Sequence, residues 1–358
     1  MNFETIAEVV HPLLAWYRQN ARVLPWRSNP EPYRVWVSEI MLQQTRVEAV
    51  REYFKRFMEE LPSIEALASA PEEQYLKLWE GLGYYSRVRN LHKAAVIVME
   101  EYGGRLPSDP KELEKLPGIG AYTAGAIASI AYGVPAPAVD GNVLRVIARV
   151  TGGYDDVMLP AVKRSVEDAL RGIYPPGEAG DFTQALMELG ALVCVPNGPP
   201  KCLFCPLQVL CIAHQRGIEL ELPVKTEKQK RRIEKKTVFL IRSGSRMAIV
   251  KRPEKGLLAG LWELPNKEGT LSSAEARALL ESRGNIVTTI TKLPAAKHIF
   301  THVEWRMTGY EAVVPEYRGD AVLASAEELR GTYTLPAAFK PYLDRFFAEE
   351  TNKTEDGH

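Results

Sequence analysis

The sequence predicts a multidomain protein in which an all-α domain is followed by an α+β domain, and three observations carry this prediction. Apolar residues up to about residue 220 recur at helical spacing, as Val47, Val50, Phe54 and Phe57 illustrate. A run rich in Lys, Arg, Gln and Glu follows at 225–236 and indicates a solvated linker. Beyond it, short stretches rich in β-branched and aromatic residues indicate strands.

The first domain, residues 1–220, is expected to be a helical bundle with short loops, because prolines divide its helical stretches. Within it, Leu116-Pro-Gly-Ile-Gly120 forms a hairpin before a helix predicted from Tyr122 to Ala131. Gly118 and Gly120 would leave backbone N–H groups accessible at the start of the helix, where they could bind an anion such as a phosphate. A plain turn between helices is the commoner use of such glycines. A carboxylate, Asp140, follows in the turn Val139-Asp-Gly-Asn142 and would face whatever the hairpin holds.

The second domain is predicted over residues 237–350, after a linker at 221–236. Strands are expected at 237–242, 246–251 and 305–314, with a helix at 273–283, which together indicate an α+β fold. The last eight residues, 351–358, are polar and are expected to fray.

The composition allows nucleic-acid binding but does not demand it. The 358 residues are 46% hydrophobic, enough for two cores, and the 45 Lys and Arg balance the 45 Asp and Glu. Any affinity for a polyanion must therefore come from local patches and backbone donors. The start of the chain has no basic leader, and no apolar run approaches membrane-spanning length. We therefore expect a soluble, intracellular protein.

All four cysteines fall within eighteen residues, as Cys194, Cys202, Cys205 and Cys211. Such clustering is poor disulfide design, but it suits four thiolates around one metal centre. Zinc and an iron–sulfur cluster both accept four thiolates, and cysteines without any metal are the third possibility. Four protein ligands leave no open coordination position, which favours a structural or sensing role over a hydrolytic one.

A second carboxylate, Glu39, lies among apolar residues on a predicted helix. Burial would raise its pKa and let it act as an acid, although an ordinary surface glutamate is the commoner case. Amide and hydroxyl groups suited to base edges follow at 43–45. Trp26 and Arg27 precede it and could line a pocket for an extruded base.

Five strings in the first domain resemble the MutY family of adenine DNA glycosylases, within the helix-hairpin-helix superfamily of endonuclease III. They are Leu24-Pro-Trp-Arg27, Trp36-Val-Ser-Glu-Ile-Met-Leu-Gln-Gln-Thr45, Trp79-Glu-Gly-Leu-Gly-Tyr-Tyr-Ser-Arg-Val-Arg-Asn90, Ala138-Val-Asp-Gly-Asn-Val143 and Glu188-Leu-Gly-Ala-Leu-Val-Cys194. The resemblance spans about residues 5–220, with a weaker continuation. It implies a helical module with the hairpin at 28–136 and a cluster-bearing module from 1–27 and 137–220.

The cysteine spacing resembles the family's C-x6-C-x2-C-x5-C loop, except that the first interval is one residue longer. The resemblance therefore implies a [4Fe-4S] cluster on all four cysteines, with the Pro/Gly-rich insert bulging outward. The second domain resembles the Nudix fold, with Gly260-Leu-Trp-Glu-Leu-Pro265 in the family's strand-loop position. Of the acids that hold Mg²⁺ in Nudix hydrolases only Glu281 remains, so pyrophosphohydrolase activity is not expected.

The resemblance also implies roles for individual residues. The catalytic group would be Glu39, Asp140, Tyr122 and Asn142, and the adenine pocket would be Trp26, Arg27, Leu42 and Gln184. DNA and the base opposite the adenine would be contacted by Gln44, Thr45, Leu82, Tyr84, Gly118, Gly120, Phe300, Thr301 and His302. Without the resemblance, an aromatic such as Tyr84 beside a glycine is as often a core residue, and Phe300-Thr-His302 is as often a strand end.

The implied activity is monofunctional excision of adenine opposite 8-oxoguanine, and of adenine opposite guanine, from double-stranded DNA. Bifunctional relatives carry a lysine where this chain has Tyr122, and a phenol cannot form the imine of the lyase step. The protein is expected to act as a monomer in the cytoplasm, at the nucleoid, without a membrane. The rival readings are a thymine-mismatch or oxidised-pyrimidine glycosylase, and a catalytically silent lesion binder or iron–sulfur regulator.

Overall fold

The computed structural model of the protein describes residues 1, 3–226 and 230–355, the last seven by backbone alone. The chain divides into two compact units. The first consists of Met1–Ala70 and Ser86–Glu227, and the second of Pro71–Tyr85 and Lys228–His358. The domain boundaries expected from the sequence place 71–85 in the helical domain, but the contacts of this segment group it with the second unit.

The first unit is all-α, as the sequence predicts. Its helices, numbered in chain order together with one helix of the second unit (α5, Glu72–Leu78), are α1 (Val10–Asn20), α2 (Pro32–Leu42), α3 (Val47–Glu60), α4 (Ile64–Ser69), α6 (Ser86–Glu101), α7 (Pro110–Leu113), α8 (Ala121–Tyr132), α9 (Gly141–Val150), α10 (Pro160–Arg171), α11 (Ala179–Leu192) and α12 (Ile212–Arg216). Short 3-10 helices lie at Ile6–Val9 and Cys202–Phe204.

Helix starts in this unit follow simple capping chemistry. The Asp109 side chain accepts a hydrogen bond from the N–H of Lys111 at the start of α7, and Ser63 does the same from Ala66 at the start of α4. Proline occupies the first turn of α2, α7 and α10, where its missing N–H costs nothing. Apolar faces of α1, α9 and α11 then pack into one core, which includes Leu13, Ile147 and Leu186.

The hairpin connects α7 to α8 through Gly118 and Gly120. Gly118 has φ +80°, and a Cβ there would lie 2.8 Å from the Cβ of Asn90 in α6, so a side chain is excluded on both counts. Ile119, between the two glycines, is buried. Helix α8 begins at Ala121, one residue before the predicted start, with the exposed Gly120 as its N-cap.

The second unit is α+β, as predicted, and is built on a mixed sheet. Its strands are β1 (Arg232–Ser243), β2 (Arg246–Lys251), β3 (Trp262–Glu263), β4 (Asn266–Glu268), β5 (Thr289–Ile299), β6 (Val303–Val313) and β7 (Val322–Ala324), and its further helices are α13 (Ser273–Ser282), α14 (Ala326–Gly331) and α15 (Lys340–Glu355). The strand order is β3-β2-β1-β6-β5, with β4 also pairing with β1 and β7 with β2. Strands β1 and β6 run parallel, with Val238 opposite Gly309, and the other pairs are antiparallel.

Both faces of this sheet are buried, which explains the continuous apolar run in β1. Val238 and Leu240 face a core completed by Tyr342 and Phe346 of α15. Phe239 and Ile241 face the opposite core, which Ala276 and Leu280 of α13 complete. Alternate residues of one strand therefore serve two cores.

Two predicted boundaries differ from the structure. Strand β1 begins at Arg232, inside the predicted linker, because Arg232 already pairs with Val303 of β6. Helix α15 continues to Glu355, so the polar tail begins inside a helix. Parts of both predictions, residues 227–229 and 356–358, lie outside the described residues. Within residues 1, 3–226 and 230–355, no helix has the length and apolar character needed to cross a membrane.

Candidate active site

A cavity of about 570 Å³ in the first unit is lined by ten of the residues that the sequence singled out, including all four that were assigned to catalysis. Its walls come from the segment before α2, from α2 and the turn after it, from the start of α9, and from residues of α3, α8, α10 and α11. The predicted residues that line it are Trp26, Arg27, Glu39, Leu42, Gln44, Thr45, Tyr122, Asp140, Asn142 and Gln184.

Glu39 is held in this cavity as a buried acid. Helix α2 places it with only 5% of its surface exposed, and the Tyr122 hydroxyl donates a 2.6 Å hydrogen bond to its Oε2. Burial raises the pKa of Glu39 to about 7, although the bond from Tyr122 acts in the opposite direction. Burial also raises the pKa of Tyr122 well above its ordinary value, so the phenol keeps its proton. At neutral pH a large fraction of Glu39 is therefore the neutral acid.

Asp140 is the N-cap of α9, and its carboxylate is fixed by three donors. Oδ1 accepts hydrogen bonds of 2.8 Å from the backbone N–H groups of Asn142 and Val143, and Oδ2 accepts one of 2.7 Å from the Asn142 side-chain amide. Three N–H donors and the positive end of the helix dipole suit a carboxylate anion. The cavity thus contains one carboxyl group suited to the acid form and one suited to the anion.

Asn142 is itself fixed from behind by Arg145. The guanidinium donates to Asn142 Oδ1 at 2.8 Å, to the Gly190 carbonyl at 2.8 Å and to the Cys194 carbonyl at 2.7 Å. Gly190 must be a glycine here, because a Cβ would lie 2.6 Å from the Cβ of Asn142. Close packing of α11 on α9 therefore fixes the side chain that supports Asp140.

The wall expected to hold adenine contains a charge network that the sequence did not reveal. Arg27 donates to Glu188 Oε2 at 2.8 Å, and Arg22 donates to Glu188 Oε1 at 2.7 Å. Although burial alone would raise the pKa of Glu188, the hydrogen bonds from Arg22 and Arg27 lower it to about 2. Trp26 is buried and packs edge-on against Phe54 at 5.4 Å. Arg27 is therefore oriented by a permanent anion behind it.

The turn after α2 is fixed by another residue that sequence reasoning missed, Arg87 of α6. One nitrogen of its guanidinium donates to the carbonyls of Ile40, Met41 and Gln43 at 2.7, 2.9 and 2.7 Å. The other lies 3.4 Å from the Thr45 hydroxyl. Gln44, inside the turn, has φ +59°, an uncommon conformation for a side chain of its size. Arg87 thus satisfies the C-terminal carbonyls of α2 and stabilises a strained turn that lines the cavity.

Apart from Gly118 and Gly120 of the hairpin, the remaining predicted contact residues lie in the second unit. Tyr84 is 45% exposed with φ +49°, and its hydroxyl lies 3.0 Å from the Thr301 hydroxyl, whereas Leu82 is buried. Thr301 and His302 are exposed in the hairpin between β5 and β6. Phe300 packs edge-on against Trp305 at 4.9 Å. This unit therefore brings Tyr84 and the Phe300-Thr-His302 loop together, across more than two hundred residues of sequence.

The four cysteines line one small cavity beside α9, and none of them is in a disulfide. The Arg149 guanidinium lies 3.3 Å from the sulfur of Cys194. Burial raises the pKa of the Cys205 thiol to about 12, so a bound cation is needed to keep it as a thiolate. Within the described ranges, the possible metal-ligand atoms that lie within 4.8 Å of one another belong to Cys202, His214 and Glu219. This group includes only one of the four cysteines.

Two family profiles and two solved structures define the class of protein. The HhH-GPD superfamily of base excision DNA repair proteins matches residues 37–172, and the NUDIX domain matches residues 237–345. The solved structure of a thermostable thymine-DNA glycosylase is similar to this chain, with a TM-score of 0.53 and 29% identity. The similarity covers 59% of this chain and 97% of the thymine-DNA glycosylase chain. An endonuclease III solved in a non-covalent DNA complex is also similar, with a TM-score of 0.52 and 27% identity. That similarity covers 61% of this chain and 99% of the endonuclease III chain. The protein is a DNA glycosylase of base excision repair, a hydrolase, with an added Nudix-like domain.

Curated relatives narrow the class to a family. Adenine DNA glycosylase of Rattus norvegicus is 37% identical over 363 residues, which cover 84% of this chain and 70% of the rat protein. The adenine DNA glycosylase of Buchnera aphidicola from Schizaphis graminum is also 37% identical, over 81% of this chain and 83% of that protein. The chain belongs to the adenine DNA glycosylase family, as its sequence motifs predict.

Proposed function

We propose that the protein hydrolyses the N-glycosidic bond of adenine opposite 8-oxoguanine, and of adenine opposite guanine, in double-stranded DNA. The observation that carries the proposal is the pair of carboxyl groups in one cavity. Glu39 is buried with its pKa raised to about 7, while Asp140 accepts three N–H hydrogen bonds. Loss of a neutral base from a sugar needs one proton donor and one anion, and these two groups supply them.

The chemistry assigned to these residues balances without a metal or a redox partner. Glu39 gives its proton to N7 of adenine while the C1′–N9 bond breaks, and the bonding electron pair leaves with the base. The sugar becomes an oxocarbenium ion, which the Asp140 carboxylate stabilises. Water then adds its oxygen to C1′, and its released proton restores Glu39. The products are free adenine and an abasic site.

Strand cleavage by a Schiff base is not part of this proposal. That step needs a primary amine at the sugar, and the position that carries a lysine in bifunctional relatives carries Tyr122 here. The Tyr122 hydroxyl is already bonded to Glu39, which gives it a different task. We therefore assign Tyr122 to the support of the acid, and Asn142 to the support of Asp140.

Recognition of the base opposite the adenine is assigned to two surfaces. In the first unit, Gln44 and Thr45 lie on the turn that Arg87 fixes. In the second unit, Tyr84 and Thr301 share a hydrogen bond, and a hydroxyl at Thr301 can bond N7–H or O8 of 8-oxoguanine. An exposed tyrosine ring is also suited to fill the gap in the base stack that an extruded base leaves.

Grip on the duplex is assigned to the hairpin. Gly118 and Gly120 are exposed ahead of α8, where backbone N–H groups can bind a phosphate. A similar endonuclease III has been solved in complex with DNA, which supports binding of DNA by this chain. Because the whole chain carries no net charge, binding of the DNA backbone depends on such local donors. A single chain contains every group that the proposal uses.

The cofactor we propose is a [4Fe-4S] cluster on Cys194, Cys202, Cys205 and Cys211. All four thiols face one cavity, and Arg149 offers a positive charge to Cys194. Tetrahedral zinc would draw its sulfurs to about 3.8 Å from one another, given Zn–S bonds of about 2.3 Å, whereas the close ligand set here includes only Cys202. A larger cluster fits this wider arrangement. When bound, it would brace the loop after α11.

The test is single-turnover release of adenine by excess enzyme from duplexes that pair adenine with 8-oxoguanine, guanine or thymine. We expect release in the order 8-oxoguanine, guanine, then thymine, with strands that break only after alkali. Equal rates opposite 8-oxoguanine and thymine would refute the specificity. Strand breakage without alkali would refute hydrolysis by water alone, and release of thymine from a G:T duplex would favour the rival glycosylase.

A further inference from the structure

Helix α5 and the turn after it pack as part of the second unit, although they lie within the first 90 residues. The contact is polar and specific. Lys77 Nζ donates to the backbone carbonyls of Leu329 and Tyr333 at 3.0 and 3.1 Å. Glu80 pairs with Lys77 at 2.7 Å, and its other oxygen accepts the Leu335 N–H at 2.8 Å.

These bonds reach the edge of the buried core of the second unit. Leu329 and Leu335 are 3% and 4% exposed, within the core that also contains Trp305 and Phe339. An i,i+3 ion pair on a helix surface contributes little by itself. Here both charged groups also bind backbone groups more than 250 residues away, and both side chains are largely covered, at 21% and 30% exposure. We call this set of contacts between Lys77, Glu80 and the backbone of Leu329, Tyr333 and Leu335 the clasp.

The segment that the clasp holds also carries Tyr84. Trp79 is fully buried, and its indole N–H donates to the Gly83 carbonyl at 3.1 Å, which fixes the turn before Tyr84. Tyr84 itself has φ +49° and bonds Thr301 at 3.0 Å. The clasp and the Tyr84–Thr301 bond are thus two attachments of one short segment, 71–85, to residues after 300.

We propose that Lys77 and Glu80 are positioning residues for specificity: the clasp sets Tyr84 against Thr301, and so determines how strongly adenine opposite 8-oxoguanine is preferred over adenine opposite guanine. The proposal rests on the function proposed above. Neither residue lines the adenine cavity, and neither is assigned a contact with DNA. Their loss changes the preference through the placement of the tyrosine ring and the hydroxyl that face the opposite base.

The first experiment compares Lys77→Met with wild type in single-turnover release from A:8-oxoguanine and A:guanine duplexes. Methionine keeps the aliphatic stem and removes the ammonium. We expect the ratio of the two rates to fall by at least about fivefold, with the A:guanine rate within about twofold of wild type. Lys340→Met is the matched control, because Lys340 lies in the same unit and pairs only with Asp344 within its own helix among the described contacts. Its ratio is expected to equal that of wild type.

Conservative rescue and a double variant separate positioning from general damage. Glu80→Gln keeps an oxygen for the Leu335 N–H and should retain most of the preference, whereas Glu80→Ala should lose it. Thr301→Val removes the hydroxyl, so adding Lys77→Met to it should lower the ratio no further.

Three results would overturn the proposed role of the clasp. They are an unchanged ratio of the two rates in Lys77→Met, equal losses of rate on both duplexes, and losses of the ratio that add when Lys77→Met is combined with Thr301→Val. A wild-type enzyme that shows no preference for 8-oxoguanine would instead overturn the proposed function. The two failures are therefore distinguishable.

Discussion

Tyr122 and Glu39 together determine the pH at which the proposed proton transfer can occur. Burial raises the pKa of Glu39 to about 7, and the hydrogen bond from Tyr122 lowers it from the still higher value that burial alone would give. The acid must be protonated to act, so excision should be fast below that pKa and should fall as the pH rises through it. The Tyr122 hydroxyl thus limits how far toward alkaline pH the acid keeps its proton.

Tyr122→Phe should move the alkaline limb of the rate profile to higher pH, because it removes the bond that favours the Glu39 anion. The measurement is the single-turnover rate of adenine release between pH 6 and 10, for wild type and variant. The ring is kept, so packing around it changes little. An alkaline limb that moves to lower pH, or stays in place, would contradict the assigned role of Tyr122.

At the scale of elements, the end of α2 depends on a side chain from α6. Arg87 is buried, yet its guanidinium satisfies three carbonyls of the α2 terminus and approaches Thr45. The same helix carries Glu39, and the same turn carries Gln44. Both the acid and the surface proposed to face the opposite base therefore depend on one cap.

Arg87→Met should lower both stability and rate. Loss of charged hydrogen bonds to buried carbonyls should cost about 2–3 kcal/mol of unfolding free energy. Relaxation of the Gln43–Thr45 turn should slow excision by about tenfold or more at a temperature where the variant is folded. Arg87→Lys should be intermediate, since one ammonium cannot replace the guanidinium fork. Arg164→Met, at an exposed arginine of α10, is the control; a folded Arg87→Met with the wild-type rate would disprove the cap's role.

At the scale of the whole molecule, the sequence predicts the two classes of domain and ten of the residues that line the cavity. Periodicity identifies several helices of the first unit, such as α3 and α8, and β-rich composition identifies most of β1, β2 and β6. Glu39, Tyr122 and Asp140 stand out because the motifs that carry them are local strings. The lining of one cavity by all three agrees with the interpretation that those strings belong to one site.

What the sequence leaves out consists of contacts over long sequence distances. Glu188 stands 161 residues from Arg27, and Arg145 acts on a carbonyl 49 residues away, so neither partner is visible in a local pattern. Glu188 lies in one of the quoted motifs and Arg145 lies just after another. A charged residue within such an apolar stretch is the sequence signal that could have indicated a buried partner. Strand β5 was missed because most of its residues are exposed and only Leu293 is buried, so the strand has no clear apolar pattern. The grouping of 71–85 with the second unit was missed because Lys77 and Glu80 bind backbone groups, which leave no trace in sequence.

Glu39→Gln tests the central claim most directly. Glutamine keeps the shape and an acceptor for the Tyr122 hydroxyl but has no proton to give. The measurement pairs adenine release from an A:8-oxoguanine duplex with binding of the same duplex, and Glu65→Gln, at an exposed glutamate of α4, is the control. We expect binding within a few-fold of wild type and release slower by at least about a hundredfold. Release within tenfold of wild type would contradict the account.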